Sequence, residues 1–202
     1  MSEKITLKWL KENHACTDGL DWFLGQQETD LKAVLLKLID ERRSNWCFWV
    51  LTHKLNLKQK KQLAVFSAKE VLDIFKKKYP KDKQPILAIK AAERVIKNDT
   101  EENRNNAAIA ANDVYAAASN VIYAVANAAY AASLAASSAK CITNDVCAAY
   151  AIEAAAFSAG AVTVNDRRGL QVRIVNYGLS LLHDNDIILT APNSNDNLKG
   201  DK

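Results

Sequence analysis

An all-α fold, a single domain of about eight helices packed as a helical bundle, is what this sequence predicts, and three observations predict it. The 202 residues include only 6 Gly and 3 Pro, too few for the many turns of a sandwich or barrel or for the glycine loops of a doubly wound sheet. Apolar residues recur at three- and four-residue intervals along most of the chain, the spacing of a helix with one buried face. Residues 107–161 hold 24 alanines in 55 positions, and alanine is the strongest helix former. A chain of this length can bury roughly 70% of its unfolded surface without disulfides or metal. With 49% hydrophobic and 25% charged residues, wholesale disorder is excluded.

The elements follow in order. Thr6 can cap a short helix carrying Leu7, Trp9 and Leu10, and Thr17 or Asp18 opens a second through Trp22 and Phe23. Thr29 caps a third, in which Leu31, Val34, Leu35, Leu38 and Ile39 form one stripe. Ser44 caps a fourth that places Trp46, Trp49 and Val50 on one side. Asn56 starts a fifth that runs to Tyr79 with Leu63, Phe66, Val71, Leu72 and Phe75 inward, and Pro80 stops it. Pro85 suits the first turn of a sixth, which passes Ile89 and Val95 and ends at Asn98. Thr100, followed by Glu101 and Glu102, opens a long alanine-rich helix to about Lys140. Thr143 restarts a second alanine-rich helix ending near Gly160. Asn165 or Asp166 opens the last, through Leu170, Val172, Ile174, Tyr177, Leu181 and Leu182.

No sharp linker divides the chain, so residues 1–183 read as one helical domain, with Lys-rich amphipathic helices over 1–99 and alanine-rich helices over 100–183. Residues 184–202, rich in Asn, Asp, Lys and Gly, read as a disordered tail. The charge is uneven. From Met1 to Asp99 there are 20 Lys and Arg against 13 Asp and Glu, a net +7; the remainder has 7 against 10, a net −3, giving the chain its +4. Lysines such as Lys58, Lys60, Lys61, Lys76, Lys77, Lys78, Lys81 and Lys83 are interleaved with acids and lack aromatic or Arg partners in sequence. They read as a solvated helix face, with non-specific contact to a polyanion such as DNA as the alternative, and specific nucleic-acid binding is not expected.

Cys16, Cys47, Cys141 and Cys147 form no CxxC pair, and the start of the chain is no signal peptide, so reduced thiols and a cytoplasmic protein are expected. His14 near Cys16 has no second pair to complete a tetrahedral site, which leaves no metal and no cofactor in the expectation. No apolar run reaches the ~18 residues of a membrane span.

On the long alanine helix, Val114, Tyr115, Val121, Ile122 and Val125 fall on one stripe, while the opposite arc gathers Asn112, Asp113, Ser119, Asn120, Tyr123, Asn127 and Tyr130. From Ala107 to Ile152 the only charges are Asp113, Lys140 and Asp145. An uncharged polar face has three readings: close packing inside the monomer, burial in a homo-oligomer, or a ligand groove. In the groove reading Tyr123 and Tyr130 offer stacking faces and Asn120 and Asn127 offer donors and acceptors. Arginine is scarce, so Arg104, Arg167, Arg168 and Arg173, near helix openings, are the candidates for an anion site. The plainer alternative pairs Arg167, Arg168 or Arg173 with Glu153 or Asp166. Glu153 has no second carboxylate or His at helical spacing, so no catalytic residue is assigned and an enzyme is not expected.

Several segments resemble a family of alanine-rich helical proteins of phages and mobile elements, labelled immunity-protein-like after a domain of polymorphic toxin systems. They are Ile5 to Glu12, Ala15-Cys16, Gly19, Trp22-Phe23, Trp46 and Trp49, Leu63 to Phe75, Lys78-Tyr79-Pro80, Asp82, Pro85, Ala88 to Ala92, and Tyr177-Gly178-Leu179. The chain departs from the family pattern at Phe48 and His53, where relatives carry Asn and Arg, and at Ile86 and Leu87, where basic residues are usual. The resemblance implies a phage or mobile-element origin and a binding role. The expectation is a non-enzymatic, homo-oligomeric counter-defence protein that sequesters a small anionic ligand such as a nucleotide immune signal. Its rival is an immunity-type protein that blocks a toxin or host effector by protein–protein binding.

Overall fold

The computed structural model describes residues 3–118 and 164–190. Among them the fold is all-α, with α1 (Leu7–Glu12), α2 (Thr17–Gly25), α3 (Leu31–Asp40), α4 (Ser44–Lys54), α5 (Leu57–Lys78), α6 (Gln84–Lys97), α7 (Glu101–Ala118) and α8 (Val164–Thr190). The one extended pairing is an isolated bridge at Lys4 and Asp30, where Ile5 N–H donates to Thr29 O and Leu31 N–H donates to Glu3 O, both at 2.8 Å.

The helix starts are fixed by local hydrogen bonds. Thr6 Oγ1 accepts from Trp9 N–H at 3.1 Å, and Asn56 and Gln59 form a reciprocal capping box at the head of α5. Thr100 Oγ1 accepts from Asn103 N–H at 3.2 Å, ahead of the acidic first turn of α7. Asp30 rather than Thr29 caps α3, its Oδ1 accepting from Ala33 N–H at 2.9 Å. Thr29 is occupied otherwise, since its carbonyl serves the bridge to Ile5 and its N–H donates to Glu28 Oε1. Ser44 is the first residue of α4, and Arg43 before it makes no side-chain cap.

The helix ends explain how a chain so poor in glycine turns its corners. His14 (φ 59°) and Arg42 (φ 60°) occupy the left-handed region just past α1 and α3. After α1, His14 N–H donates to Lys11 O and Ala15 N–H to Leu10 O; after α3, Arg42 N–H donates to Ile39 O and Arg43 N–H to Leu38 O. Both are Schellman motifs, which usually place glycine at the left-handed position. Here a His and an Arg accept the steric cost, on the order of 1 kcal/mol each.

The core is continuous through α3, α4, α5, α6, α7 and α8. The α3 stripe of Leu31, Val34, Leu35, Leu38 and Ile39 is buried as its spacing predicts. In α4 the expected side of Trp46, Trp49 and Val50 is only partly the core side. Val50 is buried and the two tryptophans are half-buried, while Cys47, Phe48 and Leu51 lie deepest, because α4 meets α3 and α8 as well as the tryptophans of the N-terminal segments. On α5 the buried positions include Leu63, Ala64, Ala68, Val71 and Phe75, and α6 contributes Ala88, Ile89, Ala92 and Val95. Ala107, Ala111 and Val114 carry the buried stripe of α7 along α6. Full burial of each large apolar side chain stabilises the fold by about 1.5–3 kcal/mol.

Helix α8 sits against α3, α4 and α5, burying Leu170, Ile174, Val175 and Leu181. Gly178 makes its closest approach: a Cβ there would stand 2.8 Å from Leu51 Cδ2. The helix continues to Thr190, past the expected end at His183. The continuation of α7 toward Lys140, the second alanine-rich helix ending near Gly160, and residues 191–202 lie outside the described residues.

Candidate functional site

Arg104, Arg168 and Arg173 are each engaged by a carboxylate of the same chain. Arg104 Nη1 lies 2.6 Å from Asp99 Oδ1. Arg168 places Nε at 2.8 Å and Nη2 at 2.7 Å from Asp40 Oδ1, and Arg173 Nε is 2.6 Å from Glu70 Oε2. Arg167 is half-buried in the first turns of α8. The described partners of Arg168 and Arg173 are on α3 and α5, more than a hundred residues away in sequence; Glu153 lies outside the described residues. The arginines are also spread out. Arg173 meets α5 at Glu70 while Arg104 shares Asp99 with Lys61, and Lys61 and Glu70 are about 13 Å apart along the helix. Asn120, Tyr123, Asn127 and Tyr130 lie outside the described residues; of their arc, Asn112 and Asp113 are exposed.

Asp99, between α6 and α7, is a structural junction. Its Oδ2 receives the Nζ of Lys61, a lysine buried on α5, at 3.1 Å while Oδ1 receives Arg104. Partial burial acts to raise its pKa, but hydrogen bonds and charge from Arg104 and Lys61 outweigh this and hold the carboxyl below its usual range. Burial pushes the Cys47 thiol far up, whereas Cys16 is exposed; both are free thiols. Among the described residues no three His, Cys, Asp or Glu side chains form a metal-holding group, and no helix is long and apolar enough to cross a membrane.

Two concave sites stand out. The first is a largely apolar cavity of about 330 Å³ within the N-terminal helices, floored by residues such as Leu10, Val34, Leu38 and Val50 and walled by Trp22, Phe23, Trp46 and Trp49. Its aromatic frame is braced by edge-on pairs, Trp9 with Trp49 at 6.1 Å and Trp22 with Trp46 at 6.4 Å between ring centroids. Cations cover the frame: Arg43 lies 4.4 Å from the Trp46 ring centre and Lys54 4.4 Å from that of Trp9. Two of the departures from the family pattern, Phe48 and His53, lie on α4 with Trp46 and Trp49, though neither lines the cavity. Phe48 is core, 1% exposed, and presents no polar group to a ligand, while the exposed His53 packs against Trp49 with Nδ1 2.8 Å from Trp49 O.

The second is a cleft of about 480 Å³ between α5, α6 and α8. Lys58, Gln62, Phe66 and Lys69 come from one face of α5, Glu93, Ile96 and Lys97 from α6, and Tyr177 from α8. Phe66 and Tyr177 stack at 4.1 Å with their planes 11° apart, and Lys69 pairs with Glu93. Spacing alone puts Phe66 in the core and Lys58 on a solvated face, whereas Phe66 is half-buried at the cleft. The i, i+4, i+8, i+11 spacing of Lys58, Gln62, Phe66 and Lys69 was the available signal, since it puts cations and an aromatic ring in one row.

The model of the family described as "Imm-5 like putative immunity protein" matches residues 53–176, more than half of the chain. The chain belongs to this family. The matched segment contains all of α5, α6 and α7 and runs into α8, so the cleft lies within it except for Tyr177, whereas every residue lining the tryptophan cavity precedes it. Neither the curated proteins nor the solved structures contain a match to the chain.

Proposed function

We propose that this protein acts by binding alone: it holds and blocks a protein partner, a toxin or a host effector, through its helical surface and without a chemical step. Membership of the immunity-protein-like family carries this reading. The charge distribution supports it, because the excess of lysine over residues 1–99 speeds encounter with an acidic partner. The test is native mass spectrometry of the tagged chain purified from its own host. One protein retained at fixed stoichiometry is the expected result, and a chain that emerges without any stoichiometric protein overturns the reading.

The rival, a counter-defence protein that sequesters a nucleotide signal, relies on the arginines. Since Arg104, Arg168 and Arg173 are already ion-paired within the chain, an anion would have to displace a carboxylate at each, and we place this reading second. Calorimetry against cyclic and linear nucleotides decides it: heat of binding that is lost in Arg173→Gln would restore it.

A further inference from the structure

The cleft between α5, α6 and α8 has an uneven charge along its length, and this points to the chemistry of what fills it. Lys69 pairs with Glu93 and Lys61 with Asp99, so α6 runs antiparallel to α5. Gln59 Nε2 donates to Leu181 O and Glu70 pairs with Arg173, so α8 also runs antiparallel to α5, and the two helices flank it. The Lys69 end of the cleft is therefore neutralised. Toward the other end stand Lys58 and Lys97, both exposed and with no carboxylate partner among the described residues, beside the amide of Gln62. Between the ends lies an apolar stretch made by the half-buried Phe66, Ile96 and Tyr177.

We infer that this cleft docks an acidic segment of a protein partner that bears one aromatic side chain, the carboxylates meeting Lys58 and Lys97 and the ring packing on the Phe66–Tyr177 stack. This rests on the blocking reading above and names the partner chemistry it needs. A segment of polypeptide fits better than a small phosphate ligand for three reasons. The row from Lys58 to Lys69 extends about 16 Å along α5. The cationic groups are separate lysine point charges, with no Arg fork for bidentate phosphate recognition in the cleft. The cleft is open along one side, whereas small-ligand sites enclose most of the ligand and converge their polar groups on it.

The probe is the peptide Asp-Glu-Phe-Glu-Asp-amide labelled with fluorescein at its N-terminal amine, titrated with the full chain at low ionic strength and followed by anisotropy. Saturable binding is expected, weakened by added salt. The double charge reversal Lys58→Glu/Lys97→Glu is expected to weaken it about tenfold, because two exposed attractions become repulsions. Both sites are exposed, and an unchanged far-ultraviolet circular dichroism melt confirms that the variant folds. Replacing the peptide's Phe by Ala is expected to cost about another tenfold, a change that leaves the protein untouched. Absence of saturable binding overturns the inference, as does binding that the double variant leaves unchanged. Tighter binding of adenosine monophosphate, lost in the same variant, also overturns it and marks the cleft as a small-anion site. If a stoichiometric host partner is found and the double variant still holds it with unchanged affinity, the inference fails while the blocking reading stands.

Discussion

Replacing Gly178 by Ala tests the packing of α8 on α4 with a sign that depends on one neighbour. An added Cβ would stand 2.8 Å from Leu51 Cδ2, 3.0 Å from Cδ1 and 3.2 Å from Cγ, against an ordinary contact of at least 3.4 Å. Leu51 is 0% exposed, so its methyl groups cannot swing into open space. Overpacking of this kind costs about 1–3 kcal/mol, and the better helix propensity of Ala returns about 1 kcal/mol. The expected net loss in Gly178→Ala is therefore about 1 kcal/mol. In a Leu51→Ala background, itself costing about 2–5 kcal/mol, the obstruction is gone and the new methyl occupies part of the cavity. There the same Gly178→Ala change is expected to stabilise by about 1 kcal/mol. Urea unfolding of the four proteins, followed by circular dichroism, gives the cycle. A coupling of about 2 kcal/mol is the prediction; effects that add to within about 0.5 kcal/mol would refute the close approach of the two helices.

Arg42→Gly is expected to stabilise the protein by up to about 1 kcal/mol, since glycine adopts the left-handed conformation at the end of α3 freely and the arginine side chain is exposed; a lower urea midpoint would count against the Schellman reading. Asn56→Ala should cost about 1 kcal/mol through loss of the capping box at α5, read from the same unfolding curve. Asp99→Asn bears on pH. Because the folded-state carboxyl is held below its ordinary value, its contribution is present above the unfolded value near 4 and is lost as pH falls through the lowered folded value. Wild type should exceed the variant by no more than about 1 kcal/mol at neutral pH, the side chain being half-exposed, and the gap should close in acid. In the native protein a disulfide reagent should modify Cys16 and leave Cys47 intact until unfolding, as mapped by peptide mass spectrometry.

What was legible in the sequence follows the range of the interactions involved. The α3 stripe, the Asn56 cap, Pro85 in the first turn of α6 and Thr100 ahead of α7 depend on neighbours three or four residues away, and each is found where its local pattern puts it. The cap of α3 moved from Thr29 to Asp30 because Thr29 is drawn into a bridge with Ile5, a contact across the chain. The core side of α4 was only partly legible, since a helix packed on several sides buries residues all round and loses its periodicity. For the arginines, sequence reasoning picked out groups suited to carboxylates, and Arg104, Arg168 and Arg173 hold carboxylates; the partners Asp40 and Glu70 were hidden because α8 returns to helices folded from the first half of the chain. The cleft was missed for the same reason. One of its aromatic rings comes from α5 and the other from α8.

The central claim is that this chain works by holding a protein rather than by transforming a substrate. Native mass spectrometry of the chain purified from its own host addresses it most directly. The account predicts a single partner at fixed stoichiometry, released as ionic strength rises and weakened in the Lys58→Glu/Lys97→Glu variant. A chain that emerges with no stoichiometric protein, or that carries a bound nucleotide in its place, would contradict it.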